Sequence, residues 1–158
     1  MKRILFIFLF SFILAYVCVH GVRVKKCGTK GYQQDKNVYI SNCARNPCIL
    51  KRRTYTTVKY TITPQTELHN VTNDVYARIL GLPFPFIGVN GTSTCEKYTV
   101  KGTGEKASCP LTPGRSYVYK DRFKILNIYP RLKLVVHWAL KSPNGEDILC
   151  FEVPARIV

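Results

Sequence analysis

A single antiparallel β-sandwich is the fold class this sequence predicts, and three observations predict it. Apolar side chains recur with period two in several separate segments, segments with helical period are hard to find, and turns rich in Pro, Gly and Asn divide the segments. The 158 residues are too few for two large domains. A 46% hydrophobic content that includes aromatic and β-branched residues argues against disorder despite a formal charge of +15. No repeat, linker or low-complexity segment interrupts the chain.

The first element is a targeting segment. Met1-Lys2-Arg3 is basic, Ile4 to Val19 is uncharged and rich in Leu, Ile and Phe, and polar sequence begins near Gly21, which reads as a signal peptide over residues 1–21. The apolar run is short for a bilayer that needs roughly 20 residues. Residues 22–158 are then the folded domain, secreted or held in a lysosomal lumen, with 22 Lys and Arg against 9 Asp and Glu, a formal charge of +13.

The strands follow in order. Lys36–Cys43 is a first candidate. Thr57 to Ile62 places Val58, Tyr60 and Ile62 on one face, and Val71, Val75, Ala77 and Ile79 form another face interrupted by Asn73. Glu96–Val100 and Arg115–Phe123 are further candidates, the second placing Tyr117 and Tyr119 on one side. In Arg131–Lys141, Leu132, Leu134, Val136, Trp138 and Leu140 face inward, while Arg131, Lys133, His137 and Lys141 face solvent. Ser142-Pro143-Asn144-Gly145 then reads as a tight hairpin in which Asn-Gly supplies positive φ angles, with Leu149, Phe151 and Val153 returning.

Loss of Cys18 with the signal peptide leaves six cysteines, which an oxidising compartment turns into three disulfides. Six thiols allow fifteen pairings. Cys43 and Cys48 bracket a turn-prone Ala-Arg-Asn-Pro loop, Cys95 and Cys109 flank a Lys- and Gly-containing loop, and Cys27 would then join Cys150, closing a long loop worth roughly 4–5 kcal/mol. Asn70-Val71-Thr72 and Asn90-Gly91-Thr92 are N-glycosylation sequons, placing Asn70 and Asn90 at the surface.

Catalytic and metal patterns are missing. There is no Gly-x-Ser-x-Gly, no phosphate loop, no His-Glu-x-x-His and no Cys-x2-Cys, so no metal and no cofactor are expected. A cationic nuclease using His69 and His137 is the strongest enzymatic alternative, and it is disfavoured because neither histidine has a positioned partner in sequence. No nucleic-acid partner is expected.

One segment needs an apolar neighbour. Gly81-Leu82-Pro83-Phe84-Pro85-Phe86-Ile87 is too proline-rich for a central strand and too hydrophobic for an exposed loop. Taken with Cys43-Ala44-Arg45-Asn46-Pro47-Cys48-Ile49-Leu50-Lys51, Cys109-Pro110-Leu111, Tyr117-Val118-Tyr119, Tyr129-Pro130, Leu134-Val135-Val136-His137-Trp138 and Cys150-Phe151-Glu152-Val153-Pro154, in that order and spacing, it resembles the Niemann-Pick type C2 family of secreted ML lipid-recognition domains, in its arthropod form. The resemblance spans the whole of residues 22–158. It implies an immunoglobulin-like β-sandwich with an apolar cavity between the sheets, and the same three disulfides.

The resemblance further implies a ligand site with Phe84 and Phe86 at the lip, Tyr117 and Tyr119 near the entrance, and Val136 and Trp138 along the wall. Alternation adds Val58, Tyr60, Ile62 and Ile79 as lining. The implied function is that of a carrier for a sterol, fatty acid or semiochemical. The alternative is an innate-immune protein that senses a microbial lipid such as lipopolysaccharide and hands it to a receptor. Lys51-Arg52-Arg53, Lys97, Lys101, Lys106 and Arg131 are candidates for transient contact with an anionic membrane or a carboxylated ligand.

Overall fold

The computed structural model describes residues 22, 24–27 and 38–158, so the expected signal peptide and the first part of the Lys36–Cys43 candidate lie outside the described residues. Eleven strands fill the described part: β1 (Lys25–Lys26), β2 (Tyr39–Ile40), β3 (Cys48–Leu50), β4 (Tyr55–Ile62), β5 (Thr72–Ile79), β6 (Leu82–Pro85), β7 (Tyr98–Val100), β8 (Lys106–Ala107), β9 (Tyr117–Lys124), β10 (Lys133–Lys141) and β11 (Asp147–Ile157). They form two sheets. One runs β1-β11-β10-β5-β6, with β3 pairing parallel to β11; the other runs β2-β4-β9-β7-β8 and is antiparallel throughout.

The inner faces follow the alternation. Val58, Tyr60 and Ile62 of β4 and Tyr117, Tyr119 and Phe123 of β9 are buried against Val75, Ala77, Leu134, Val136, Trp138, Phe151 and Val153 of the first sheet. Period two forces this arrangement, since a slip of one residue would send every apolar side chain to water. Three disulfides, Cys27–Cys150, Cys43–Cys48 and Cys95–Cys109, close the frame with Cα separations of 5.5, 4.4 and 5.0 Å.

Two local expectations are corrected. His137 points to the outer face of β10, yet it is buried: Tyr76 stacks on it at 4.3 Å between ring centroids, Glu152 Oε1 lies 3.4 Å from Nδ1, and Cys150 Sγ lies 3.5 Å from Nε2. A strand flanked on both sides, with a disulfide laid over it, has little solvent face left. At the Ser142–Gly145 hairpin only Gly145 has positive φ, with Gly145 N donating to Ser142 O and Ser142 N to Glu146 O, a three-residue loop ending in a left-handed glycine. Pro143 suits this loop, because its ring holds the negative φ required at the first central position of the turn Ser142–Gly145, and Gly145 takes the left-handed position that follows.

Candidate functional site

The site begins at an unexpected hairpin. Ile79 and Leu82 are direct partners, so Leu80 and Gly81 alone make the turn between β5 and β6, with φ of 49° and 85°. That is the two-residue turn whose twist suits a hairpin, and it normally carries Asn or Gly at the first position. The segment read as neither strand nor loop is thus an edge strand. Pro83 and Pro85 are tolerated because β6 has a neighbour on only one side.

After Pro85 the chain turns inward. Phe86 N donates to Val75 O at 3.0 Å, and the Phe86 ring is buried edge-on to Phe123 and Tyr129, at 6.0 and 5.6 Å. Opposite, residues 126–132 form the other lip. Arg52 Nη1 donates to the carbonyls of Asn127 (3.0 Å) and Tyr129 (3.5 Å), Arg53 Nε donates to Asn127 Oδ1 (3.0 Å), and the Tyr129 hydroxyl accepts from Ile87 N (2.9 Å). Arg52 and Arg53, expected as candidates for contact with an anionic membrane or a carboxylated ligand, here hold this lip.

Between the two lips opens a pocket of about 510 Å³, within the range of small-ligand sites. Its floor is Ala77, Ile79, Phe86, Leu134 and Ile157, and its rim includes Phe84, Ile87, Ile128 and Leu132. Tyr129 contributes the one side-chain polar group. Burial raises the Tyr129 phenol above its ordinary range, so it is protonated at neutral pH and its hydrogen is available to an acceptor in the pocket. Around the mouth the apolar surface is exposed: Leu80 is 99% exposed, Ile128 73%, Leu82 62%, Ile87 58% and Phe84 48%.

Deeper in, the space closes. Phe86 also borders an inner void lined by Val58, Phe123, Val136, Trp138, Phe151 and others, with room of only about 20 Å³, about enough for one water. Beyond it lies a plug. Tyr60 and Tyr119 stack at 4.6 Å, Trp138 Nε1 donates to Tyr60 OH at 3.2 Å, and the Tyr119 hydroxyl lies 3.0 Å from Asp121 Oδ2 and 3.2 Å from Asn73 Oδ1. Asn73, which interrupts an apolar face in sequence, is buried here and donates to Thr92 Oγ1.

The expected site residues therefore separate into groups. Phe84, Phe86 and Ile79 meet at the open pocket; Val58, Val136 and Trp138 border the inner void. Tyr117 and Tyr119 do not line the open pocket. Tyr119 is central in the plug, and Tyr117 lies at the opposite end, where Thr112 N donates to its hydroxyl at 3.0 Å. Tyr60 also belongs to the plug, and Ile62 lines a far-end groove of about 110 Å³. Alternation identifies inward side chains but not their height along the strand. Sequence reasoning missed Ile128, Leu132 and Ile157 as lining and Tyr129 as the polar group, although Tyr129-Pro130 stood among the resembling segments.

The alternatives fare differently. His69 is exposed and pairs with Glu67 at 3.1 Å, whereas His137 is packed under Tyr76, so the two share no site. The Cys27, His137 and Cys150 cluster has metal-like proximity, but both sulfurs are spent in one disulfide. Asn70 and Asn90 are exposed.

The ML domain matches residues 21–157. The chain belongs to the ML domain family. It is 30% identical over 160 residues to the NPC intracellular cholesterol transporter 2 of Danio rerio, covering 99% of this chain and 97% of that one. It is 32% identical over 133 residues to a Drosophila melanogaster homolog of that transporter, covering 83% and 84%. The crystal structure of a Niemann-Pick type C2 protein from Japanese carpenter ant superposes with a TM-score of 0.69 at 24% identity, covering 86% of this ML domain and 99% of that chain. The fold is thus the immunoglobulin-like sandwich of that protein.

Proposed function

We propose that this ML domain is a non-catalytic lipid carrier that takes an elongated apolar ligand through the pocket between β6 and residues 126–132. The observation that carries the reading is the pocket itself, about 510 Å³ with apolar side chains on every wall and a single hydroxyl. Each ligand CH2 moved there from water contributes about 0.8 kcal/mol. Tyr129, as a protonated donor, orients a ligand hydroxyl or carboxylate at the mouth. Kinship with cholesterol transporters supports a ligand of sterol type, and a fatty acid or hydrophobic semiochemical meets the same apolar walls. Sensing of a microbial lipid for a receptor uses the same pocket and is separated from carriage by whether transfer needs that receptor.

The exposed rim gives the carrier a way onto a membrane. Leu80, Leu82, Ile87 and Ile128 surround the opening, and Arg131 stands between the lining residues Pro130 and Leu132, so apolar contact and attraction to acidic headgroups act at the same place. Secretion, by way of the N-terminal segment, delivers the protein to such surfaces.

Native mass spectrometry of protein from its natural source, with extraction of the bound lipid, identifies the ligand. Displacement of a fluorescent fatty acid by oleate and cholesterol then measures binding. Ala77→Trp fills the pocket floor and is expected to weaken uptake by tenfold or more, about 1.4 kcal/mol, in a protein that still folds. Val136 is a poor blocking position, since only about 20 Å³ stands beside it and a larger side chain there overpacks the core. Undiminished uptake in folded Ala77→Trp protein would overturn the pocket assignment.

A further inference from the structure

The strand alternation that turns Tyr60 and Tyr119 inward turns Lys59 and Lys120 outward, onto the open face of the second sheet. These two lysines are direct cross-strand partners, a like-charge pairing that works against sheet formation. Lys97, Lys101 and Lys106 converge on the same place from β7, β8 and their flanks, and together the five line a groove of about 650 Å³. Lys97 is matched by Asp121 at 2.8 Å, and Lys106 approaches Glu96 only at 4.0 Å between two exposed side chains. Among the described residues no carboxylate pairs with Lys59, Lys101 or Lys120.

We propose that this groove binds a linear sulfated polysaccharide, whose charges complete the lysine cluster. Charge complementarity calls for a polyanion, and the form of the face selects which kind. A single-stranded nucleic acid needs exposed aromatic rings to stack on, whereas Tyr98, the aromatic residue of the groove, is buried with its ring against Tyr117 and Tyr119. A bilayer docked here would leave the exposed apolar rim unused, because the groove shares no residue with the mouth pocket. A thin chain of sulfate esters fits a groove and leaves the mouth clear. Such binding would hold the carrier on an extracellular matrix or cell coat while its pocket stays free to exchange.

Calorimetric titration with a heparin decasaccharide at about 0.15 M salt tests this. The intact protein should bind, and Lys59→Gln/Lys120→Gln should weaken binding by roughly tenfold or more and lower the slope of log affinity against log salt by about one per lysine removed. A control that removes equal charge elsewhere, Lys51→Gln/Lys133→Gln, should change affinity by less than about twofold. The groove variant should melt no lower than the parent, since it loses a repulsive pair. Lys101→Gln, in a loop, gives a second reading independent of strand pairing. Failure of the parent to bind, equal losses in both double variants, equal competition by a single-stranded oligonucleotide, or binding only to phosphatidylserine vesicles would each overturn the proposal. Lipid uptake by the pocket is unaffected by any of these outcomes.

Discussion

The two halves of the sandwich are built from the same alternating strands and end in opposite states. In the half near Phe86, the inward residues are aliphatic or aromatic rings that meet edge-on without hydrogen bonds between their side chains, β6 is a short edge strand, and the sheets part into an open pocket. In the other half, Tyr60, Tyr98, Tyr119 and Trp138 touch one another and their polar atoms are tied to Thr94, Asn73 and Asp121. Hydrogen bonds between buried rings fix separations and leave no slack, while dispersion among aliphatic groups tolerates a gap. The pocket opens where the floor side chains carry no polar atoms to tie the sheets together, and its polar links lie at the lips.

Mutation should expose this difference most strongly. Trp138→Ala in the closed half removes a fully buried indole and strands the Tyr60 hydroxyl, at an expected cost of about 3–5 kcal/mol. Ile79→Ala at the open half faces space already empty and part-exposed, and is expected to cost about 1 kcal/mol. Urea unfolding of both variants checks the pair. Similar losses would mean that the two halves are equally packed.

Alkaline titration separates the halves next. Burial holds Tyr60, Tyr98 and Tyr119 above the ordinary phenol value of 10.0, so the fold favours their protonated forms. Their contribution is full below pH 10 and is lost as pH rises through 10 toward the folded values, by up to about 1.4 kcal/mol per pH unit for each tyrosine. Urea midpoints should be flat to pH 9 and fall beyond pH 10, with the tyrosinate absorbance of these three appearing only on unfolding. Tyr129, part-buried at the mouth, should ionise while the protein stays folded, and Tyr129→Phe should remove that early signal alone.

How much was legible in the sequence follows from the same physics. Period two disclosed β4, β5, β9, β10 and β11 because apolar and polar residues alternate along each, and the cysteine spacings pointed to the three bridges the structure contains. It misjudged His137, whose outward direction was right but whose cover, Tyr76 and a disulfide, comes from residues far away in sequence. Alternation showed that Tyr117 and Tyr119 share a face, but it has no measure of depth; their height is set by register with β4 and β7. The segment of Phe84 and Phe86 stood out by its proline-rich hydrophobicity, and the resemblance put both at the lip, whereas Tyr129 and Ile157 reach the pocket only through tertiary folding.

The smallest expected effect lies at the turn that shapes the mouth. Leu80 occupies a left-handed conformation at φ 49° with its side chain fully in water, so it carries backbone strain and an exposed apolar surface without any packing return. A residue kept only for folding would be Asn or Gly at this position of a two-residue hairpin. Leu80→Asn is therefore expected to stabilise the protein by about 0.5–1 kcal/mol in thermal melts, and to weaken partitioning onto vesicles containing acidic lipid. Stabilisation with unchanged partitioning would remove Leu80 from the proposed membrane contact and leave Ile87 and Ile128 to make it.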